Sequence, residues 1–378
     1  MRLIPTARVP DGAELGRDVL VGRADGIPLL RAGVSLTQRY RDRLMAAGIN
    51  AIYVEDGESE GIVPEPIVTE ETRAIATRAV AEAYRSTQEA IATGKPLGPG
   101  TADSLGVVIE RILREIQQSG GVALALADLA CADAYTFQHS IDVTALGLLI
   151  GQHLFRKHGW LDYDGVRRFT RIDERLSQLG LGLLLHDIGK LAIPISILNK
   201  PGKLTSEEWQ IMQTHPRAGM DLLRGDMWSP LVKAIVLRHH ERSDGSGYPG
   251  GKVETEIHEM ARIAAIADVY DAVTSERVYA PARPASAGVQ AIMQGAGTLF
   301  DQEIVDVFSR LVAPFPPGVE LKISDGRSGI VVSVPDHALD RPVVRVLDGP
   351  GSPCEIPLLR HPSLRIEGWD RVPAAAAA

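Results

Sequence analysis

Five histidines, His139, His186, His215, His239 and His240, occupy one stretch of the chain, with Asp187 directly after the second and Asp268 further on. Imidazole and carboxylate are side chains that hold divalent metals, and a set without thiolate favours Fe, Mn or Zn over softer ions. A single buried histidine is usually a hydrogen-bonded core residue. Position shifts the balance here. His186 and Asp187 follow the apolar run LGLGLLL at 179–185, so the carboxylate falls at the end of a buried helix. Asp268 follows AAIA in the same way. A buried charge without a partner is costly, so both aspartates call for a cation. Asp271 lies three residues beyond Asp268, on the same helix face, either to orient a ligand imidazole or water or as a capping or ion-pairing residue. His153, His158, His258, His337 and His361 lack such a setting and read as structural or surface residues.

These residues need helices to hold them. Residues 1–65 carry short β-like runs between Gly and Asp-Gly turns, with one helix near 37–47, and read as a small β-rich module. Residues 66–120 read as a helical connector. Its first helix starts at Thr69, an N-cap followed by Glu70 and Glu71, and stops at Gly94. From about 102 to 310 helical periodicity dominates, with few strand signals. His139 lies inside a helical run, His215 ends a helix before Pro216, and Ser229-Pro230 begins a helix that His239 and His240 close. Thr205 and Glu208 match a capping box and read as structural. After PFPPG at 314–318, VELKI, GIVVSV and PVVRVL read as strands of a second small β-rich module, 314–378.

The chain has 378 residues, 45% hydrophobic and 23% charged, with a net charge of −8. It is globular in composition, and its acidic balance argues against DNA, RNA or a polybasic membrane surface as partner. Cys131 and Cys354 give neither a disulfide framework nor a zinc pattern, no secretory h-region opens the chain, and no apolar run could span a bilayer. A cytoplasmic location is expected. HHERSDGSGYPGG at 239–251 contains G-x-G-x-x-G (Gly245, Gly247, Gly250), but a helix precedes it rather than a strand, so the dinucleotide-cofactor reading fails on context.

The run HDIGKLAIPISILNKPGKLTSEEW, followed by HP, HHERSDGSGYP and ADVYDAVTSERVY, closely resembles HD-GYP domains, a branch of the HD metal-dependent phosphohydrolase superfamily. The resemblance covers about residues 130–310. It implies a mainly α protein, with an HD-type helical bundle at 121–313 between the two β modules. It also implies two divalent metals, iron or manganese, and hydrolysis of cyclic di-GMP to linear pGpG or GMP. By position, His139, His186, Asp187 and Asp268 would hold one metal and His215, His239 and His240 the second, with Asp187 bridging. Lys190 would contact the scissile phosphate, Arg277 the ligand, and Tyr248 with its turn would form the GYP element. A water acidified between two cations would attack phosphorus while the cations clamp its oxygens.

This chain departs from the family pattern in four places. Tyr135 stands where three-metal members carry Glu, favouring two metals; RKHGWLDYDGVRRFTRIDER at 156–175 looks like an inserted loop or helix extension; Ala280 replaces a frequent basic residue; and His258 stands where Pro is common. Alternatives are a non-catalytic cyclic di-GMP sensor signalling through the β modules, and an HD hydrolase of a different cyclic dinucleotide. In each reading the partners expected are a cyclic dinucleotide and a second copy of the chain or a signalling protein.

Overall fold

A computed structural model describes residues 1–20, 28–47, 49–94, 97–119, 135–275, 282–348 and 353–369. The chain begins with strands β1 (Arg2–Pro5), β2 (Glu14–Leu15), β3 (Val19–Leu20) and β4 (Pro28–Leu30), helix α1 (Gln38–Ala46) and β5 (Ala51–Glu55). Antiparallel β1 and β2 flank β5, and β3 pairs with β4. Leu15, Leu36, Leu44, Ile52 and Val54 form the buried core of this module.

Two long helices follow, α2 (Glu70–Thr93) and α3 (Pro99–Gln118). Thr69 caps α2 by accepting the Thr72 N–H, and Gly94 ends it in the left-handed conformation at φ +67°. Its buried residues Ala76, Val80, Ala83, Tyr84 and Thr87 recur at helical spacing. That face packs on the central helices, because α2 and α3 share one buried cluster with them.

The central helices are α4 (Tyr135–His158), α5 (Ile172–Leu185), α6 (Ile195–Leu198), α7 (Ser206–Met212), α8 (His215–Leu222), α9 (Pro230–Arg238), α10 (Glu259–Thr274), α11 (Ala285–Gln294) and α12 (Gln302–Ser309). Most of α10 is buried, as are residues 139–152 of α4, so these two form the middle of the bundle. The segment 156–175 extends α4, then turns through a hairpin, β6 (Trp160–Leu161) with β7 (Arg167–Arg168). Two-residue strands are too short for an alternating pattern, so the sequence pattern shows no strand here.

One boundary is corrected. His215 does not end a helix: α7 stops at Met212, and His215 opens α8 with Pro216 in the first turn. Proline suits that place, where its missing N–H has no intrahelical partner and its fixed φ is already helical.

Five antiparallel strands close the chain, β8 (Glu320–Ile323), β9 (Ser328–Ser333), β10 (Val343–Val346), β11 (Cys354–Pro357) and β12 (Ile366–Trp369), in the order β11-β10-β9-β8-β12. The two β modules touch. Arg2 pairs with Asp56 at 2.9 Å on its own module and with Glu320 at 2.6 Å on the other, and the Leu3 N–H donates to Gly318 O at 2.9 Å.

Candidate metal centre

Five elements deliver the histidines and aspartates to one place. His139 comes from α4, and His186 with Asp187 from the end of α5. His215 opens α8, His239 and His240 end α9, and Asp268 and Asp271 come from α10. Every one is at most 7% exposed except His240, whose side chain is 17% exposed and marks the open side.

The turn Ile188–Ala192 after Asp187 lies so close to α8 that a Cβ at Gly189 would stand 2.0 Å from His215 O. Glycine is the residue that permits this approach, which sets Asp187 beside His215.

Backbone contacts fix the ring orientations. His186 Nδ1 meets Leu183 O at 2.7 Å, His215 Nδ1 meets Met212 O at 2.9 Å and His239 Nδ1 meets Val236 O at 3.0 Å. A carbonyl only accepts, so each Nδ1 carries the proton and each Nε2 keeps a bare lone pair. His139 Nδ1 is held by Asp271 Oδ2 at 2.6 Å, and Ser275 Oγ donates to the other Asp271 oxygen at 2.9 Å.

The freed Nε2 atoms converge on Asp187. Its Oδ2 lies 3.4 Å from His186 Nε2 and 3.6 Å from His139 Nε2, while its Oδ1 lies 3.3 Å from His215 Nε2 and 3.9 Å from His239 Nε2. Two groups with metal-ligand spacing result, His139/His186/Asp187 and Asp187/His215/His239/His240, and Asp187 belongs to both. Asp268 reaches across the divide, with one oxygen 3.4 Å from His139 Nε2 and the other 3.4 Å from His240 Nδ1.

This donor set fits divalent metal ions. Asp187 Oδ1 is buried with no hydrogen-bond donor. His139 Nε2 faces His186 Nε2 at 3.2 Å, and His215 Nε2 faces His239 Nε2 at 3.3 Å. Where the Nδ1 atoms hold the protons, these are lone pairs facing one another around a carboxylate, an arrangement that a cation relieves.

The electrostatics agree. Burial, reinforced by His240, His186 and His215, holds His239 well below the usual imidazole range, and burial brings His240 down to about 3. Both rings are therefore neutral, as ligation requires. Burial alone would raise Asp187, but the Lys190 ammonium and the His186 and His139 rings hold it well below the ordinary carboxylate range. Asp268 is likewise lowered against its burial, chiefly by His139 and His240.

Around this centre lie the groups read as substrate contacts. Lys190 Nζ is 2.5 Å from Asp187 Oδ2, and its side chain is 27% exposed. Tyr248 packs its ring 4.6 Å from that of His240 and 6.0 Å from that of Trp209. Burial, then Asp268 and Asp187, raises its hydroxyl above the usual range, so it stays a neutral donor. Arg277 and Ala280 lie outside the described residues, as does the side chain of Tyr135. Thr205 and Glu208 form the expected capping box.

Sequence reasoning missed Glu241. It is 3% exposed and accepts the Gly250 and Lys252 N–H groups at 2.8 and 2.9 Å, tying the glycine-rich turn back to the paired histidines. Gly247 lets the turn close, since a Cβ there would stand 2.4 Å from His240 O and 2.5 Å from Arg242 N. The signal was present as an acid directly after two ligand-type histidines, but its partners are backbone amides that no side-chain pattern reveals. Sequence reasoning also missed Tyr84 of α2, a buried residue whose hydroxyl is raised above its usual range by burial and by Asp187.

Known proteins resemble the chain over this region. Residues 169–304 match the family model described as HD domain. A Pseudomonas aeruginosa protein named as a cyclic di-GMP phosphodiesterase is 34% identical over 251 residues, 66% of this chain and 57% of that one. A Xanthomonas campestris cyclic di-GMP phosphodiesterase response regulator is 45% identical over 36% of this chain and 37% of its own length. A Vibrio cholerae protein named as a 3'3'-cGAMP-specific phosphodiesterase is 41% identical over 32% of this chain and 24% of its own. The chain thus spans 57% of the length of the first of these curated relatives and less of the others. No helix among the described residues is long and apolar enough to cross a membrane. With its HD and GYP motifs brought to one site, the HD domain of this chain is of the HD-GYP type.

Proposed function

We propose that the chain is a metal-dependent phosphodiesterase that hydrolyses cyclic di-GMP to linear pGpG or GMP. The observation that carries this reading is Asp187, a buried carboxylate with one oxygen toward His139 and His186 and the other toward His215 and His239. In this reading His139, His186, Asp187 and Asp268 hold one divalent ion, and His215, His239, His240 and Asp187 hold a second, iron or manganese. When bound, two such ions acidify a water and polarise the phosphate. The protein's own groups do the rest. Asp271 fixes the proton of His139 on Nδ1 so that Nε2 faces inward. Lys190 turns its ammonium from Asp187 to a non-bridging phosphate oxygen. Tyr248, held by the Glu241-anchored turn, presents a neutral hydroxyl beside His240. Arg277 contacts the ligand, as the family resemblance implies. Residues 121–313 form the catalytic domain, 66–120 a helical connector, and 1–65 and 314–378 the flanking modules, in a cytoplasmic protein.

A second substrate reading, another cyclic dinucleotide, is favoured by the 41% identity to a protein named for 3'3'-cGAMP. One experiment tests both. Cyclic di-GMP and 3'3'-cGAMP are incubated separately with protein loaded with Fe, Mn, Mg or Zn, and the products are separated by chromatography. Linear pGpG or GMP from cyclic di-GMP supports the first reading, and product from 3'3'-cGAMP alone supports the second. No product from either with any metal overturns the hydrolase.

A further inference from the structure

Two of this chain's departures from its family meet at one cavity. The β6–β7 hairpin lies in the inserted segment 156–175, and His258 stands where proline is common. Together with the outer side of α9 and the first turn of α10 they enclose about 800 Å³, a volume within the usual range of small-ligand sites.

The polar groups lining it are unevenly satisfied. The carboxylates are engaged. Asp162 accepts two hairpin amides and pairs with Arg168 at 2.7 Å. Glu259 accepts the Leu161 N–H at 3.0 Å and pairs with Arg167. Glu256 pairs with Lys252 at 2.5 Å, and Glu254 with Arg262 at 3.5 Å.

Several donors lack a side-chain acceptor. His258 Nδ1 accepts the Met260 N–H at 3.2 Å, which puts the ring proton on a buried Nε2 that has only the Leu161 backbone beside it. Burial brings this imidazole down to about 4, so it is neutral. Arg262 Nε is also buried with no partner. Lys233 and Arg238 donate only to backbone carbonyls among the described residues, Gly225 O at 2.7 Å and Glu256 O at 2.9 Å. Pro230 at the start of α9 and His258 at the start of α10 both line the cavity, adding the positive ends of two helices. At the mouth, Tyr163 is 65% exposed, with its ring 4.9 Å from that of His258 and one face open.

We propose that this cavity binds a nucleoside phosphate, the phosphate lying toward Lys233, Arg238 and the His258 and Arg262 N–H groups and the base over Tyr163. Donors whose side-chain acceptors are lacking, beside engaged carboxylates, select an anion, the exposed aromatic ring selects a planar group, and a nucleotide is a small ligand that carries both. The histidine cluster lies past the C-terminal end of α9, outside the residues that line this cavity, and this proposal does not depend on its function.

The test is calorimetric titration of the full chain with AMP, GMP and inorganic phosphate. At least one nucleotide should bind saturably at one per chain, at least about tenfold more tightly than phosphate alone. Affinity should be unchanged in Asp187→Ala and should fall at least about tenfold in both Lys233→Glu and Tyr163→Ala, whose folding is checked by circular dichroism. Absence of saturable nucleotide binding overturns the proposal. So does binding that survives Lys233→Glu and Tyr163→Ala, binding lost in Asp187→Ala, or inorganic phosphate binding as well as the nucleotides.

Discussion

Helix α9 serves two sites of opposite polarity, and both turn on a histidine. At its C-terminal end His239 gives its Nδ1 proton to Val236 O, leaving a lone pair on Nε2 that points toward Asp187. Beside its outer face His258 accepts the Met260 N–H at Nδ1, leaving a proton on a buried Nε2. One backbone contact therefore decides whether a buried imidazole helps build a cation site or an anion site. The carboxylates follow suit. Asp187 keeps an oxygen without a hydrogen-bond donor in the cluster, whereas Glu259 and Asp162 are engaged at the cavity. Counting histidines in a sequence does not separate the two cases; the partner of the second ring nitrogen does.

The largest expected effect breaks the cluster alone. Asp187→Ala should lose bound metal and reduce phosphodiesterase activity to background, measured by elemental analysis and product formation, while nucleotide binding at the cavity stays. Metal retention by this variant would remove the carboxylate from its proposed place. Asp271→Asn is the next step down. It keeps the shape but weakens the hold on the His139 proton, and should cost about 10–100-fold in metal affinity or activity, read from metal titration. Unchanged affinity would make Asp271 a capping residue.

Gly247→Ala probes the turn joining His240 to Tyr248. The added methyl meets backbone at 2.4 and 2.5 Å, so chemical denaturation should show a loss of about 1–3 kcal/mol. A neutral result would mean that the turn is not tightly fixed.

Acid should weaken the metal-free fold at both sites. His240 lies at about 3 and His258 at about 4, against an ordinary 6.5. Below 6.5 the unfolded chain takes up protons that the folded chain refuses, so stability falls as pH drops through that window. Each imidazole contributes up to about 1.4 kcal/mol per pH unit. Urea unfolding of chelator-treated protein at pH 7, 6 and 5 measures this, and stability that is flat or rises on acidification would contradict the buried neutral rings. The smallest effect sharpens the separation of the sites: Lys233→Glu should leave metal content and turnover within about twofold, since among the described residues its ammonium donates only to Gly225 O.

Much of the cluster is legible in the sequence because burying charge is costly. An apolar run ending in His186-Asp187, and another ending in Asp268, mark carboxylates that need a cation. The capped helices are equally legible, as Thr69, Thr205 and Ser229 all accept first-turn amides. Contacts between distant parts of the chain are not. Asp271 grips His139 across 132 positions, and Glu241 acts through backbone amides. The hairpin in 156–175 pairs only two residues per strand, too few for a period to show. His258 reads as an ordinary surface or structural residue until Tyr163 and the hairpin are placed against it.

The central claim is that Asp187 is shared between two metal sites. It is tested most directly by counting metal ions per chain after anaerobic loading with iron or manganese, using native mass spectrometry, in the wild type and in Asp187→Ala. The account predicts two ions per chain in the wild type and none retained by the variant. A single ion in the wild type, or two ions persisting without the Asp187 carboxylate, would contradict it.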